Sequence, residues 1–182
     1  MSSSFDLPSV DRITVGTVGV PGSRTFFLQA REDSLLVSLK VEKGQVAALT
    51  ERLGDLLHEN PASSAIPEPA DLDLEEPTLA DFVVGSLGLS FSTDDDRVVI
   101  VCEELVPVDP DEDDLDDDDD DEAGPRGAVA RFGLTRGQAA ALAMRGAPLV
   151  ATGRPACPLC GYPLDPRGHV CPKTNGHRPP TL

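Results

Sequence analysis

Two separated stretches of this chain spell the same short programme of elements, and any fold must give both copies comparable surroundings. Ile13 to Val20 (ITVGTVGV) alternates apolar with small or polar residues, the period of a half-buried strand. Phe82 to Leu89 (FVVGSLGL) repeats it, with Gly85 and Gly88 where the first copy has Gly16 and Gly19. Farther along, Val41-Glu42-Lys43-Gly44-Gln45-Val46-Ala47-Ala48-Leu49 is answered by Leu134-Thr135-Arg136-Gly137-Gln138-Ala139-Ala140-Ala141-Leu142. Strands come first and a helix follows in each copy, which predicts an α+β fold of two βββα-like lobes built on antiparallel sheet. Two explanations of the repeat stay open. It is either an internal duplication with pseudo-twofold symmetry, or an outcome of hairpin and helix-start chemistry, which calls for glycine and glutamine at such places anyway.

Within the first lobe, residues 1–60, three strands are expected: Arg12 to Gly19, Thr25 to Ala30 and Leu35 to Val41. Val20-Pro21-Gly22-Ser23 reads as the turn between the first two, because Pro presets one corner and Gly accepts the positive φ of the next. Val46, Leu49, Leu53, Leu56 and Leu57 then recur at steps of three and four, one face of a helix ending near Asn60. Residues 61–81 carry Pro61, Pro67, Pro69 and Pro77 with little periodicity and read as a connector. The second lobe, 82–153, adds strands over Arg97 to Val108 and Ala128 to Phe132, separated by an acidic loop, 109–125.

That loop dominates the electrostatics. From Asp109 to Glu122 twelve of fourteen residues are acidic, so of a net charge of −17 the rest of the chain carries only −5. Such a run repels itself and has nothing to pack, which predicts a solvated, disordered excursion. It lacks the glycine of a calcium loop. The chain contains no run of about 20 apolar residues that would span a membrane. Neither a basic start nor an apolar signal core is present at the N-terminus, so a cytoplasmic protein is expected.

The tail, 154–182, is the one stretch whose residue types dictate a chemistry. Cys157-Pro158-Leu159-Cys160 spaces two thiolates so that one turn presents both to a tetrahedral ion, at about 2.3 Å each. Cys171 supplies a third ligand. His169 is the expected fourth, two residues away on the same face of an extended segment, with His177 as the alternative. Four protein ligands leave no open position for water, so the expected Zn2+ is structural and folds a zinc-ribbon-like appendage too short to bury a core. Cys102, inside the run VVIVC, reads as core.

Catalytic signatures are missing. There is no GxSxG, HExxH or GxxxxGK[ST], and Gly16 to Arg24 reads as a glycine-bearing hairpin rather than a phosphate loop. His58, beside Glu59 at the end of the first helix, suits a cation at a helix C-terminus.

Arg24-Thr25-Phe26-Phe27-Leu28-Gln29-Ala30, the helix that follows Glu42-Lys43-Gly44-Gln45-Val46, and Cys157-Pro158-Leu159-Cys160-Gly161 through Asp165-Pro166, Gly168-His169-Val170-Cys171 and Asn175-Gly176 together resemble an uncharacterised actinobacterial family, domain-of-unknown-function family 3090. The resemblance implies a small bacterial protein with no assigned activity. It also implies neighbours that look like a histidine phosphatase and a lipid kinase. Members whose tail ends in Asn-Gly-Tyr, against Asn175-Gly176-His177 here, favour His169 as the ligand.

The expected function is a non-enzymatic interaction or adaptor protein with an unidentified protein partner. A second reading is an enzyme or ligand-binding protein for a phosphate-related substrate, with Arg24, Arg97 or Arg131 converging between the lobes. A third, nucleic-acid binding through the ribbon, is weakened by the −17 charge and by Tyr162 standing without a second aromatic nearby.

Overall fold

In the computed structural model, residues 2–20, 22–61, 65–68, 72–107, 127–151, 157–160 and 173 are described. The chain runs β1 (Phe5–Leu7), β2 (Arg12–Val18), β3 (Thr25–Glu32), β4 (Leu35–Val41), α1 (Lys43–Glu59), β5 (Phe82–Ser92), β6 (Arg97–Glu104), β7 (Val129–Leu134) and α2 (Arg136–Ala151). The α+β class is therefore as expected. The acidic loop lies outside the described residues, as does most of the predicted ribbon.

Local chemistry sets the boundaries. The β2–β3 turn rests on Gly19 and Gly22, with φ of 101° and 93°, so Gly16 to Arg24 is a hairpin. A capping box of Glu42 and Gln45 opens α1, and Asn60 closes it, its backbone N–H donating to Leu56 O at 2.9 Å. Val46, Leu49 and Leu53 are the buried residues of α1.

The strands form one sheet in the order β1-β7-β6-β5-β4-β3-β2. β2-β3-β4 and β5-β6-β7 are antiparallel meanders, as expected. The sheet as a whole departs from the antiparallel expectation, because β4 pairs β5 in parallel through Leu39↔Phe82 and Lys40↔Val83, and β1 pairs β7 in parallel. A strand that returns through a helix, as β4 does through α1, arrives pointing the same way.

β1 and β2 lie at opposite ends of that order, yet only Pro8 to Asp11 separate them. Seven flat strands would span about 29 Å at the usual spacing of about 4.8 Å. The linking residues reach at most about 17 Å. The sheet must therefore curl until its edges meet, and consecutive amides record the meeting: Val10 N–H donates to Gly133 O on β7 at 3.1 Å, and Asp11 N–H donates to Arg31 O on β3 at 2.8 Å. β1 and β2 act as one interrupted strand that closes a barrel-like sheet.

The glutamines of the repeated motif hold matching places in this closure. Gln45 Oε1 accepts from Glu42 N–H at the start of α1, while its Nε2 donates to Val84 O and Gly85 O at 3.0 and 3.2 Å. Gln138 Oε1 accepts from Thr135 N–H at the start of α2, and its Nε2 donates to Val10 O and Asp11 O at 2.8 and 3.1 Å. Each helix start is thus pinned to an interrupted strand, at the β-bulge of β5 and at the break between β1 and β2. Both helices pack with the inner face of the sheet in one aliphatic core that includes Val15, Leu28, Leu39, Leu53, Phe132 and Leu142.

Gly133 is where the two edges press closest. A Cβ there would overlap the Pro8 carbonyl, 2.7 Å from its carbon, and backbone cannot swing aside as a side chain can. Gly44 has open space around it in the first turn of α1. Gly133→Ala is expected to lower unfolding stability by about 2 kcal/mol, whereas Gly44→Ala leaves it unchanged or raises it by up to about 1 kcal/mol, both read from urea midpoints.

Candidate functional site

β4 ends as α1 begins, and β5 runs on beyond it. Between α1 and that projecting half of β5 lies an open groove of about 740 Å³. Its floor is apolar, from Leu49, Leu56, Leu87, Leu89 and Phe91. Its helical rim carries Arg52, Asp55 and Glu59, all exposed, and Gln45 and Asn60 mark its two ends. The far end is braced by Arg136, which bonds Pro61 O at 2.9 Å and Asp96 at 3.0 Å and lies 6.0 Å from the Phe91 ring centre.

A second concavity, about 550 Å³, sits on the outer face of β2 and β3 where residues 72–75 cross the sheet. Here the strands bury polar side chains. Gln29 Nε2 donates to Ser38 Oγ and to Glu75 O, each at 3.0 Å, and Gln29 Oε1 accepts from Glu75 N–H at 2.7 Å. Thr14 Oγ1 donates to Leu72 O, and Leu74 lies over Gly16, where a Cβ would come 2.5 Å from the leucine Cγ. Arg12 and Arg31 both meet Glu75 Oε1, at 3.2 and 3.7 Å, and Arg145 meets Asp73 at 2.7 Å. Burial lowers the Arg12 guanidinium below its ordinary range, and Glu75 opposes that shift.

Of the expected metal ligands, Cys157 is buried and Cys160 half-buried on the turn formed by residues 158–160. His169, Cys171 and His177 lie outside the described residues. Two soft thiol donors brought to one turn suit a zinc knuckle. Cys102 sits fully buried on β6, and burial pushes its thiol up to about 12, so it is a core residue and no nucleophile. Glu104 ends β6 beside Ala128, which leads into β7. Ser2 Oγ donates to it at 2.5 Å and Ala128 N–H at 3.0 Å, which together hold its carboxyl below the usual range.

The three arginines singled out for a phosphate-binding cleft do not converge. Arg24 is half-buried just before β3, Arg97 reaches Ser9 Oγ at 3.3 Å from the start of β6, and Arg131 is exposed in β7. Neither concavity is lined by any of them. Arg12, Arg31 and Arg52 line the concavities instead, and the sequence did carry one sign of the outer-face network. TFFLQA in β3 carries a bulky apolar residue on each face, Phe27 on one and Phe26 and Leu28 on the other, which calls for cover on both sides of the strand.

No helix among the described residues is long and apolar enough to cross a membrane. Residues 5–171 match the family described as Protein of unknown function (DUF3090). No curated protein and no solved structure matches the chain.

Gln29, itself fully buried, bonds Ser38 Oγ and both backbone groups of half-buried Glu75, and removing it leaves them without that partner. Gln29→Leu is expected to cost about 2 to 3 kcal/mol in urea unfolding, while Arg97→Ala, which loses one long bond near the surface, costs less than about 1 kcal/mol.

Proposed function

This chain belongs to the DUF3090 family, whose description assigns no activity, and we propose that it is a non-enzymatic interaction protein whose body receives a protein partner in the groove between α1 and β5. The observation that carries this reading is a strand half left without a neighbour among the described residues, beside an apolar floor with a thinly charged rim. Concave, mostly apolar surfaces with a few placed polar groups are where recognition concentrates. The groove offers no cysteine, serine–histidine pair or histidine to which a nucleophilic role attaches.

In the same proposal the tail is a zinc-ribbon-like staple. Cys157, Cys160, Cys171 and His169 would hold a structural Zn2+, which supplies fixed geometry and no reaction step. Cys157 and Cys160 share one turn, and the family match ends at Cys171, so it takes in His169 and leaves out His177. We also infer that the two βββα units descend from an internal duplication. The matched roles of Gln45 and Gln138 favour that over coincidence, because turn chemistry alone does not demand that each glutamine reach two carbonyls of the opposite unit.

The phosphate-related alternative finds its best footing at Arg12 and Arg31, but both already face Glu75, which an incoming anion would have to displace. Binding of nucleic acid is disfavoured by Asp55 and Glu59 on the groove and by the overall −17 charge.

One set of preparations tests both halves. Ala48 is exposed on α1 and lines the groove, so Ala48→Arg obstructs the site without disturbing the helix. Full-length protein is expected to capture a partner in pull-downs that Ala48→Arg loses with its thermal unfolding unchanged, and to carry one zinc per chain that Cys160→Ser and His169→Ala lose and His177→Ala keeps. An equal capture by Ala48→Arg contradicts the groove, and metal-free wild-type protein contradicts the staple.

A further inference from the structure

β5 pairs with β4 only through Phe82 and Val83. From Gly85 to Ser92 no described residue pairs with it on that side, and in a strand every second residue directs its N–H and C=O that way. Natural sheets blunt such an edge with charge, proline or a short strand. Here the sequence is GSLGLSFS, with no charge and no proline. Only Gln45 intervenes, capping Val84 O and Gly85 O where β4 gives out.

The groove beside this edge has the length of a strand. From Gln45 to Asn60 the helix advances about 22 Å at 1.5 Å per residue. From Gly85 to Phe91 the strand advances about 20 Å at 3.3 Å per residue. An extended segment of about six residues fits between them. In the other unit α2 buries Gly137, Ala139, Ala141 and Gly146, and at Gly146 a Cβ would overlap Thr50 Oγ1 of α1 and come 3.6 Å from Val15 of β2. Against β5, α1 instead turns Arg52, Asp55 and Glu59 to the opening.

We propose that this groove binds an extended, basic segment of another protein as an added strand on β5, a proposal that rests on the interaction reading above. The main chain of the segment would complete the hydrogen bonding of Gly85 to Ser92, and alternate side chains would enter the floor formed by Leu49, Leu56, Leu87 and Leu89. Charge selects the occupant. Asp55 and Glu59 outnumber Arg52 on the rim, and Asp94 and Asp95 follow in the turn beyond Ser92. A second copy of a chain with net charge −17 is repelled from such a rim, while lysines flanking an apolar strand are drawn to it.

The test uses the full chain, isotopically labelled, with three synthetic hexapeptides followed by amide chemical shifts. The first alternates lysine and valine, the second alternates glutamate and valine, and the third is the lysine peptide with alternate backbone nitrogens methylated. Saturable shifts at Gly85 to Ser92 are expected with the lysine peptide, weakened by at least about tenfold by N-methylation and by the glutamate exchange. Asp55→Lys with Glu59→Lys, both exposed, is expected to reverse the lysine-to-glutamate preference. Unmoved β5 amides at millimolar lysine peptide, or binding indifferent to N-methylation, would overturn strand addition. Equal binding of the glutamate peptide would overturn the basic occupant. A partner that wild-type protein captures and Ala48→Arg loses, with no lysine peptide bound, separates failure of this proposal from failure of the interaction reading.

Discussion

Two neighbouring backbone amides hold this fold closed. Val10 bonds to β7 and Asp11 to β3, so one step along the chain crosses from one edge of the sheet to the other. Because β1 and β2 are joined by four residues, no flat arrangement of the seven strands is open to this sequence. The closure brings the two end strands of the order together at this one point. Gln138 secures it from the α2 side by taking up the carbonyls of the same two residues, and Gly133 permits it by offering no side chain where Pro8 crosses.

The groove follows from the same geometry. The parallel seam between β4 and β5 is only two pairs long, so the meanders are joined near the start of β5 and its remainder projects past the end of β4. α1 continues where β4 stops and covers the projecting strand incompletely, leaving the apolar floor open. In the other unit the small residues of α2 let that helix approach α1 at Thr50 and β2 at Val15.

Much of this could be read from residues alone. The strands β2, β3 and β4, the helix ending at Asn60 and the Gly19 and Gly22 turn announce themselves through period, caps and positive-φ glycines. β1 was not legible, since three residues carry no period and its place is set by pairing with β7. The parallel seams were missed for the same reason, because strand order is a tertiary fact. Residues 61–81 look like a plain connector, yet Leu72 to Glu75 cover one face of the sheet and meet Thr14, Gln29 and Arg12. Those contacts join residues far apart in sequence and leave no periodic trace. The proposed zinc ligands rest on spacing, which suggests donor types, and of Cys157, Cys160, His169 and Cys171 only the first two fall among the described residues.

Native-state hydrogen exchange at Val10 and Asp11 tests the closure most directly. These amides lie outside any regular strand, so a loop would let them exchange through openings costing close to zero, whereas edges welded at this point tie their exchange to global unfolding. Protection equal to that of the central residues of β3 is the expected result. Exchange at the rate of exposed turn residues would show that the sheet is open here and contradict the closed fold.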